Sequence, residues 1–494
     1  MKNIILIIVL AVGFTSCKKW LEETPRSVIT SSQFYKSKED AQAAVDGIYS
    51  FLYPPYTGSG RNYGYAMLEL VTGGYRTQSE GNDLVNVVNL RQNNASPLLQ
   101  QWFSACYQGI EAANLAIVNI PNVAMDENEK TKLIGESKFL RAYYYYTLVN
   151  IFGDVPLKLT PTENSADGLL PKTGVKEIYE TAIVPDLKDA ETSGLPATPD
   201  GTGRASTGAA KALLAKVYLS MAGYPVSETD KFGLARDKAL EVINSGSFSL
   251  FETDGSLSWF DKLNNPDFDN KQEHIFSIQF GLNIINSIVP NELYPKGVSF
   301  NRNGNVDNDM GLLVPEESFL DSYAADDLRR KNNGFFFNTI TVDGTVYNFT
   351  WAIYKFFDKN LLDNSPRSAK DFPVIRFADI LLTYAEAQNE ADGTPNAQAF
   401  TALNNIRSRA GLATVSGLSQ SAFREEVWKQ RYWELCAEDK VWFDIVRTHK
   451  IFDATNKTMV DAVGYTLPSG ATFKQENLKF PIPLAEVQIN PLLQ

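Results

Sequence analysis

The sequence predicts a mainly α protein: a tetratricopeptide-like helical repeat scaffold with an irregular, loop-rich region containing short β-strands and hairpins. Three observations predict it. Long segments carry apolar residues at helical spacing on two faces at once, so their helices pack between neighbours. Ala and Gly recur on those faces and let helices approach closely. The middle of the chain loses the helical period and turns rich in Asn, Gly and Pro. No clean fixed-period repeat is visible, so stacked helix pairs alone carry the solenoid expectation.

The elements follow in order. Lys2 supplies a positive start, residues 4–12 a short apolar run, and Thr15-Ser16 small residues before Cys17. A run this short is a secretory h-region, too short to span a membrane. Cysteine at the cut is the bacterial lipoprotein pattern. Residues 1–16 are then a signal peptide, and lipidated Cys17 begins the mature chain. Each buried methylene adds about 0.8 kcal/mol, so several acyl chains make a durable anchor.

Residues 18–32 read as a tether and 37–52 as a first helix, with Ala41, Ala44, Val45 and Ile48 at helical spacing. Residues 53–65 read as a loop broken by Pro and Gly and holding Tyr53, Tyr56, Tyr63 and Tyr65. Residues 98–119 align Trp102, Ala105, Cys106, Gly109, Ala113 and Ala116 on one side. Residues 129–152 and 206–222 are apolar on two faces. A strand is expected at 273–280, an irregular stretch at 281–308, and a hairpin at 335–351 around Asp343-Gly344. Helices resume at 376–391, 396–410 and 421–437. Two regions, 17–230 and 270–494, are expected to share one globule.

Composition narrows the function. The 494 residues are 44% hydrophobic and 21% charged, a globular balance. A formal charge of -12 disfavours nucleic acid and anionic headgroups as partners. Cys106 and Cys436 fall in apolar helical patterns and read as buried free thiols, although an oxidising envelope permits a bridge. The only histidines, His274 and His449, read as structural or solvated. No HExxH, CxxC, GxSxG or Walker pattern is present, so no metal or cofactor is expected and no catalytic residue is nominated, while the 58 acidic residues leave carboxylate pairs open. Trp259 reads as core, and Trp351 is left open between core and ligand contact.

Several short motifs appear in a fixed order. Trp102, Tyr107, Ile110 and Ala113-Asn114 come first, then Gly135 to Ala142 with Phe152-Gly153-Asp154-Val155-Pro156. Gly203-Arg204-Ala205, Pro373-Val374-Ile375-Arg376, Tyr384-Ala385-Glu386-Ala387 and Asn405 to Gly411 follow. Phe443-Asp444-Ile445-Val446-Arg447 and Pro481-Ile482-Pro483 complete the set. Together with Cys17 they resemble the SusD/RagB family of outer-membrane nutrient-binding lipoproteins over nearly the whole mature length. The chain departs from the pattern at Gln430-Arg431, where Glu-Arg is usual. It departs again at Glu438-Asp439, where an acidic residue and glycine are usual, and in its short tail.

The charged motif residues Glu136, Arg141, Arg376, Glu386, Arg407, Arg409, Asp444 and Arg447 sit among apolar helices. Unpaired buried charge is costly, so they are expected as interhelix ion pairs and helix-end contacts rather than catalysts.

The resemblance implies a non-catalytic, cell-surface lipoprotein on the outer membrane, facing outward. It would capture an oligosaccharide and pass it to a SusC-like TonB-dependent transporter. In similar proteins the ligand surface comes from loops outside the helical repeat, and two segments qualify. Residues 53–83 offer Tyr56, Arg61, Tyr63, Tyr75, Arg76, Gln78, Asn82 and Asp83. Residues 281–308 offer Asn283, Tyr294, Asn301, Arg302 and Asn303. An exposed aromatic ring covers the apolar face of a sugar, while amides and charged groups bond its hydroxyls. Alternatives are oligopeptide capture, a surface glycosidase or protease, and a purely structural adaptor.

Overall fold

The computed structural model describes residues 34–57, 63–282, 285–298, 311–362 and 368–494. The expected leader, Cys17 and the expected tether lie outside the described residues. Helix α1 (Lys38–Tyr49) starts on Ser37, whose side chain caps Asp40 N–H while Asp40 returns the bond. Tight turns at Ser50–Leu52 and Pro54–Tyr56 lead to the fully buried α2 (Gly64–Leu70). Strand β1 (Tyr75–Arg76) and α3 (Asn82–Val88) follow. Helix α4 (Pro97–Asn119) opens on the Ser96 cap with proline in its first turn. Helix α5 (Glu127–Phe152) opens on Asp126 and stops at Gly153, whose φ of 75° suits glycine.

Strand β2 (Val155–Pro156) pairs with β3 (Lys172–Thr173). Helix α6 runs over Val175–Ile178, a π turn at Tyr179–Ile183, and Val184–Thr192. That turn lies just before Pro185, which has no N–H to continue the α pattern. Helices α7 (Thr207–Ala222) and α8 (Lys231–Asn244) complete the first stack. After α9 (Trp259–Asn264) come β4 (His274–Ile278), α10 (Val289–Glu292), β5 (Val314–Pro315) and α11 (Glu317–Ser322). Strands β6 (Phe336–Val342) and β7 (Thr345–Ile353) form the expected hairpin. Its turn residues Asp343 and Gly344 take φ of 50° and 82°. Strand β8 (Phe372–Arg376) pairs with β4, and α12 (Phe377–Asp392), α13 (Ala397–Arg409), α14 (Gln420–Glu434) and α15 (Val441–Thr448) follow. Strands β9 (Lys450–Asp453) and β10 (Thr458–Asp461) pair, and α16 (Leu484–Ile489) lies near the end. Every described sheet is a two-stranded antiparallel pair.

Each long helix packs on the next: α4 on α5, α5 on α6, α6 on α7, α7 on α8. Helix α8 then packs on α12, which packs on α13 and α14, so both halves of the chain join one helical scaffold. The charged motif residues stitch it. Arg141 meets Asp186 at 2.7 Å, Arg204 meets Glu136 at 2.8 Å, and Arg447 meets Glu386 at 2.5 Å. Arg431 joins Asp379 at 3.0 Å to Asp444 at 2.7 Å. Arg376 faces Glu273, Glu434 and Glu438, all buried, and Arg409 contacts Glu273 and Glu434 from the other side. Arg407 pairs with Glu426 at the rim.

Two of the three departures from that motif pattern have local accounts. Gln430 accepts a bond from Arg329 at 2.9 Å. Asp439 holds the left-handed φ of 60° that glycine takes most easily. Cys106 and Cys436 are free and buried. His274 is buried against the Phe268 carbonyl, and His449 ends α15 and stacks on Tyr224 with ring centroids 3.8 Å apart. Trp259 is core. Among the described residues no helix is long and apolar enough to cross a membrane.

Candidate functional site

The two loop segments nominated from sequence meet. Strand β1 pairs with β5, setting Tyr75 opposite Pro315 and Arg76 opposite Val314. Gln78 N–H donates to the Gly311 carbonyl at 2.9 Å, and Lys296 Nζ donates to the Gln78 carbonyl at 3.1 Å. A side chain at Gly311 would collide with Gln78, and its φ of 50° adds a second reason for glycine there. Arg76 is held by the Pro315 carbonyl at 3.1 Å and the Glu316 carboxylate at 3.2 Å, with over a third of its side chain still open. Gln78 is half-buried; Asn82 is exposed at the start of α3, with Asp83 half-buried beside it.

The tyrosines behave differently from the expectation of open ring faces. Tyr56, Tyr63, Tyr75 and Tyr294 are buried. Tyr56 packs on Trp102 and Phe372 and donates to Asp439 at 3.0 Å. Tyr75 packs edge-on against Phe319, and Tyr294 stacks on Phe357 at 5.3 Å. Loops broken by Gly and Pro build no core of their own, so their rings sink into the scaffold and fix the loop ends. Arg61, Asn283, Asn301, Arg302 and Asn303 lie outside the described residues.

Sequence reasoning missed a cleft of about 730 Å³ beside these loops. It is bounded by α9, the turn at 328–334, the β6–β7 hairpin and residues 354–362. Phe260, Tyr354 and Phe357, largely buried, present ring edges to it; Asn332, Asn333, Thr339 and Thr341 add amides and hydroxyls, and Lys331 and Lys359 add charge. Tyr354 and Phe357 stack at 5.0 Å, and Tyr294 stacks on Phe357 in turn. The cleft wall and the second loop segment thus share one small apolar cluster with Phe337 and Leu361.

The polar lining is fixed before any ligand arrives. Asn332 accepts from the N–H groups of Asn338 and Thr339 and donates to the Thr339 carbonyl at 3.2 Å. Asp261 accepts from the Tyr354 hydroxyl at 3.2 Å and from Ser258 at 2.9 Å, and faces Lys359 at 3.3 Å. Burial and the Asp261 carboxylate push the Tyr354 hydroxyl far above its ordinary range, so it remains a donor. Among the described residues Asp261 is the one carboxylate lining the cleft, and three donors engage it. Trp351, left open by the sequence, is half-buried with the Arg330 guanidinium 4.5 Å from its ring centre. Its signal was the strand alternation of the hairpin; nothing local marked the approach of 328–334 from the other side. Among the described residues no group of three or more His, Cys, Asp or Glu is placed to share a metal.

Comparison with known proteins agrees with this architecture. The model described as the SusD family matches residues 320–494, and the one described as starch-binding associating with outer membrane matches residues 19–219. A SusD superfamily protein from Parabacteroides distasonis is 36% identical with a TM-score of 0.86, the alignment covering 92% of this chain and 98% of that one. A SusD-like protein P25 from Formosa agariphila is 28% identical, over 100% of this chain and 97% of its own length. Surface glycan-binding protein A from Bacteroides uniformis, 21% identical with a TM-score of 0.77, shares the fold over 93% of this chain and 99% of that one. The chain belongs to the SusD family.

Proposed function

We propose that this protein is a non-catalytic, cell-surface lipoprotein that binds a glycan and delivers it to a SusC-like TonB-dependent outer-membrane transporter. The observation that carries the binding reading is the cleft of about 730 Å³ beside the stitched loops. Its size suits a small-molecule site, and its mix of aromatic, amide and hydroxyl lining suits a sugar, apolar on its ring faces and polar at its edges. The family description as starch-binding and outer-membrane associated supports the same class. A glycosidase works with a pair of carboxylates, and among the described residues only Asp261 lines this cleft with one. Lipid at Cys17 supplies the anchor, and the loop residues around Arg76, Gln78 and Asn82 extend the binding face. Thr339→Trp fills the cleft from an already half-exposed hairpin position. Electrophoresis through gels containing a retarding polysaccharide is expected to show that retardation reduced in Thr339→Trp. Equal retardation of the variant and the parent chain removes the cleft from the site. For the anchor, Cys17→Ala is expected to release the chain from the membrane fraction.

A further inference from the structure

A second concavity lies where the start of α4 meets the Pro54 turn and α16. It is an open groove of about 510 Å³, and among the described residues no side chain lining it carries a charge. In a chain with 21% charged residues and a net charge of -12, that is informative. Pro97, Gln100, Gln101, Ser104, Ala105 and Gln108 fall at helical spacing along one stripe of α4, beside the stripe that enters the core. Asn94 and Pro54 face them.

The amides are prearranged. Gln101 donates to the Pro54 carbonyl at 2.6 Å and accepts from Gly64 N–H at 3.2 Å. Gln100 donates to Ser104 at 2.7 Å and to Glu486 at 2.6 Å, which leaves its buried Oε1 without a donor. A buried acceptor without a donor is costly, so this end of α4 carries an unmet hydrogen bond.

We propose that this groove binds a neutral oligosaccharide segment as a second site, separate from the hairpin cleft. The proposal rests on the glycan-binding reading and extends it. Pro54 and Pro97 offer flat apolar rings for sugar C–H faces, and the amides and hydroxyls meet sugar hydroxyls. A peptide would want a strand edge or deep apolar pockets. The groove has helix side chains instead of an edge, and its apolar lining is only Pro and Ala. The hairpin cleft, by contrast, carries Lys331, Lys359 and Asp261. Two sites on one chain strengthen retention of a long polymer through effective concentration.

The test titrates the mature chain with maltoheptaose and laminarihexaose, with tetraalanine and an alginate oligomer as controls. Thr339→Trp first removes the hairpin cleft. In that background, residual binding of a neutral oligosaccharide is expected, weakened at least tenfold by Ser104→Trp and several-fold by the surface change Gln108→Ala. Residual binding that neither change alters overturns the groove. So does loss of all binding by Thr339→Trp alone, although that outcome upholds the cleft. A groove-dependent response to tetraalanine or alginate without one to the neutral sugars overturns the ligand class. Silence of the parent chain to every saccharide overturns groove and glycan reading together.

Discussion

Gly109 tests the close helix packing that the small residues of α4 imply. Gly→Ala inside a helix ordinarily stabilises by about 0.5–1 kcal/mol. At Gly109 a Cβ would fall inside the van der Waals envelope of Tyr144 on α5 and lie 2.8 Å from its Cδ2. Carbon atoms pack comfortably at about 3.5–4.0 Å. The ring has nowhere to go: Tyr144 is 2% exposed, and its hydroxyl donates to the Ile48 carbonyl at 2.6 Å. Overpacking of a tight core costs about 1–3 kcal/mol. Loss of the hydroxyl bond adds about 1 kcal/mol. Subtracting the propensity gain leaves a net loss of about 1–3 kcal/mol for Gly109→Ala. Gly47 on α1 is the control, since a Cβ there meets nothing within 4 Å. Gly47→Ala should gain about 0.5 kcal/mol or slightly more. Urea unfolding of both variants beside the parent reads the two signs. Gly109→Ala as stable as the parent would refute the α4–α5 contact.

Three further expectations concern the scaffold and the site. Arg376→Met leaves Glu273, Glu434 and Glu438 buried without their shared guanidinium and should cost about 3–5 kcal/mol in denaturation; a loss below about 1 kcal/mol contradicts that account. Arg376→Lys should recover little, because a single ammonium does not span three carboxylates. Burial lifts Glu69 to about 7, and burial with Asp269 lifts Asp371 to about 8. Both groups bind protons more tightly folded than unfolded, so their contribution is full below about pH 4 and is lost as pH rises through those values. His274 has the opposite sign: burial, then Lys370 and Arg376, hold it well below its ordinary value, so stability falls as pH drops below about 6.5. Urea midpoints should therefore decline from about pH 6.5 to 8.5, and Glu69→Gln should flatten the slope; an unaltered slope contradicts the assignment. In the cleft, Tyr354→Phe removes the hydroxyl bond to Asp261 while keeping the ring, so saccharide affinity should fall less than tenfold. A total loss would mean the hydroxyl itself contacts ligand.

The scaffold was legible because its signals are local and periodic. The helices expected at 98–119, 129–152 and 206–222 appear at Pro97–Asn119, Glu127–Phe152 and Thr207–Ala222, with Ser96, Asp126 and Ser206 as their caps. Asp343-Gly344 marked the hairpin turn correctly. The strand expected at 273–280 shortened to His274–Ile278, because Phe280 N–H turns to Asp371. The ion pairs were foreseeable as a class: a charge in an apolar helix needs a partner. Which partner was not, since Arg141 finds Asp186 and Arg376 finds Glu438 only through the fold. The site was legible least. Tyrosine in a loop signals either a platform or an anchor, and Tyr56, Tyr75 and Tyr294 are buried. The cleft joins Phe260, Asn332 and Thr339 from three separate elements, a contact that no local pattern encodes.

The most direct measurement is calorimetric titration of the soluble chain, starting after Cys17, with a panel of oligosaccharides and short peptides. Saturable binding of one glycan class, weakened by Thr339→Trp, is the result expected of a glycan-capture protein. Binding of peptides with silence across the glycans would contradict it.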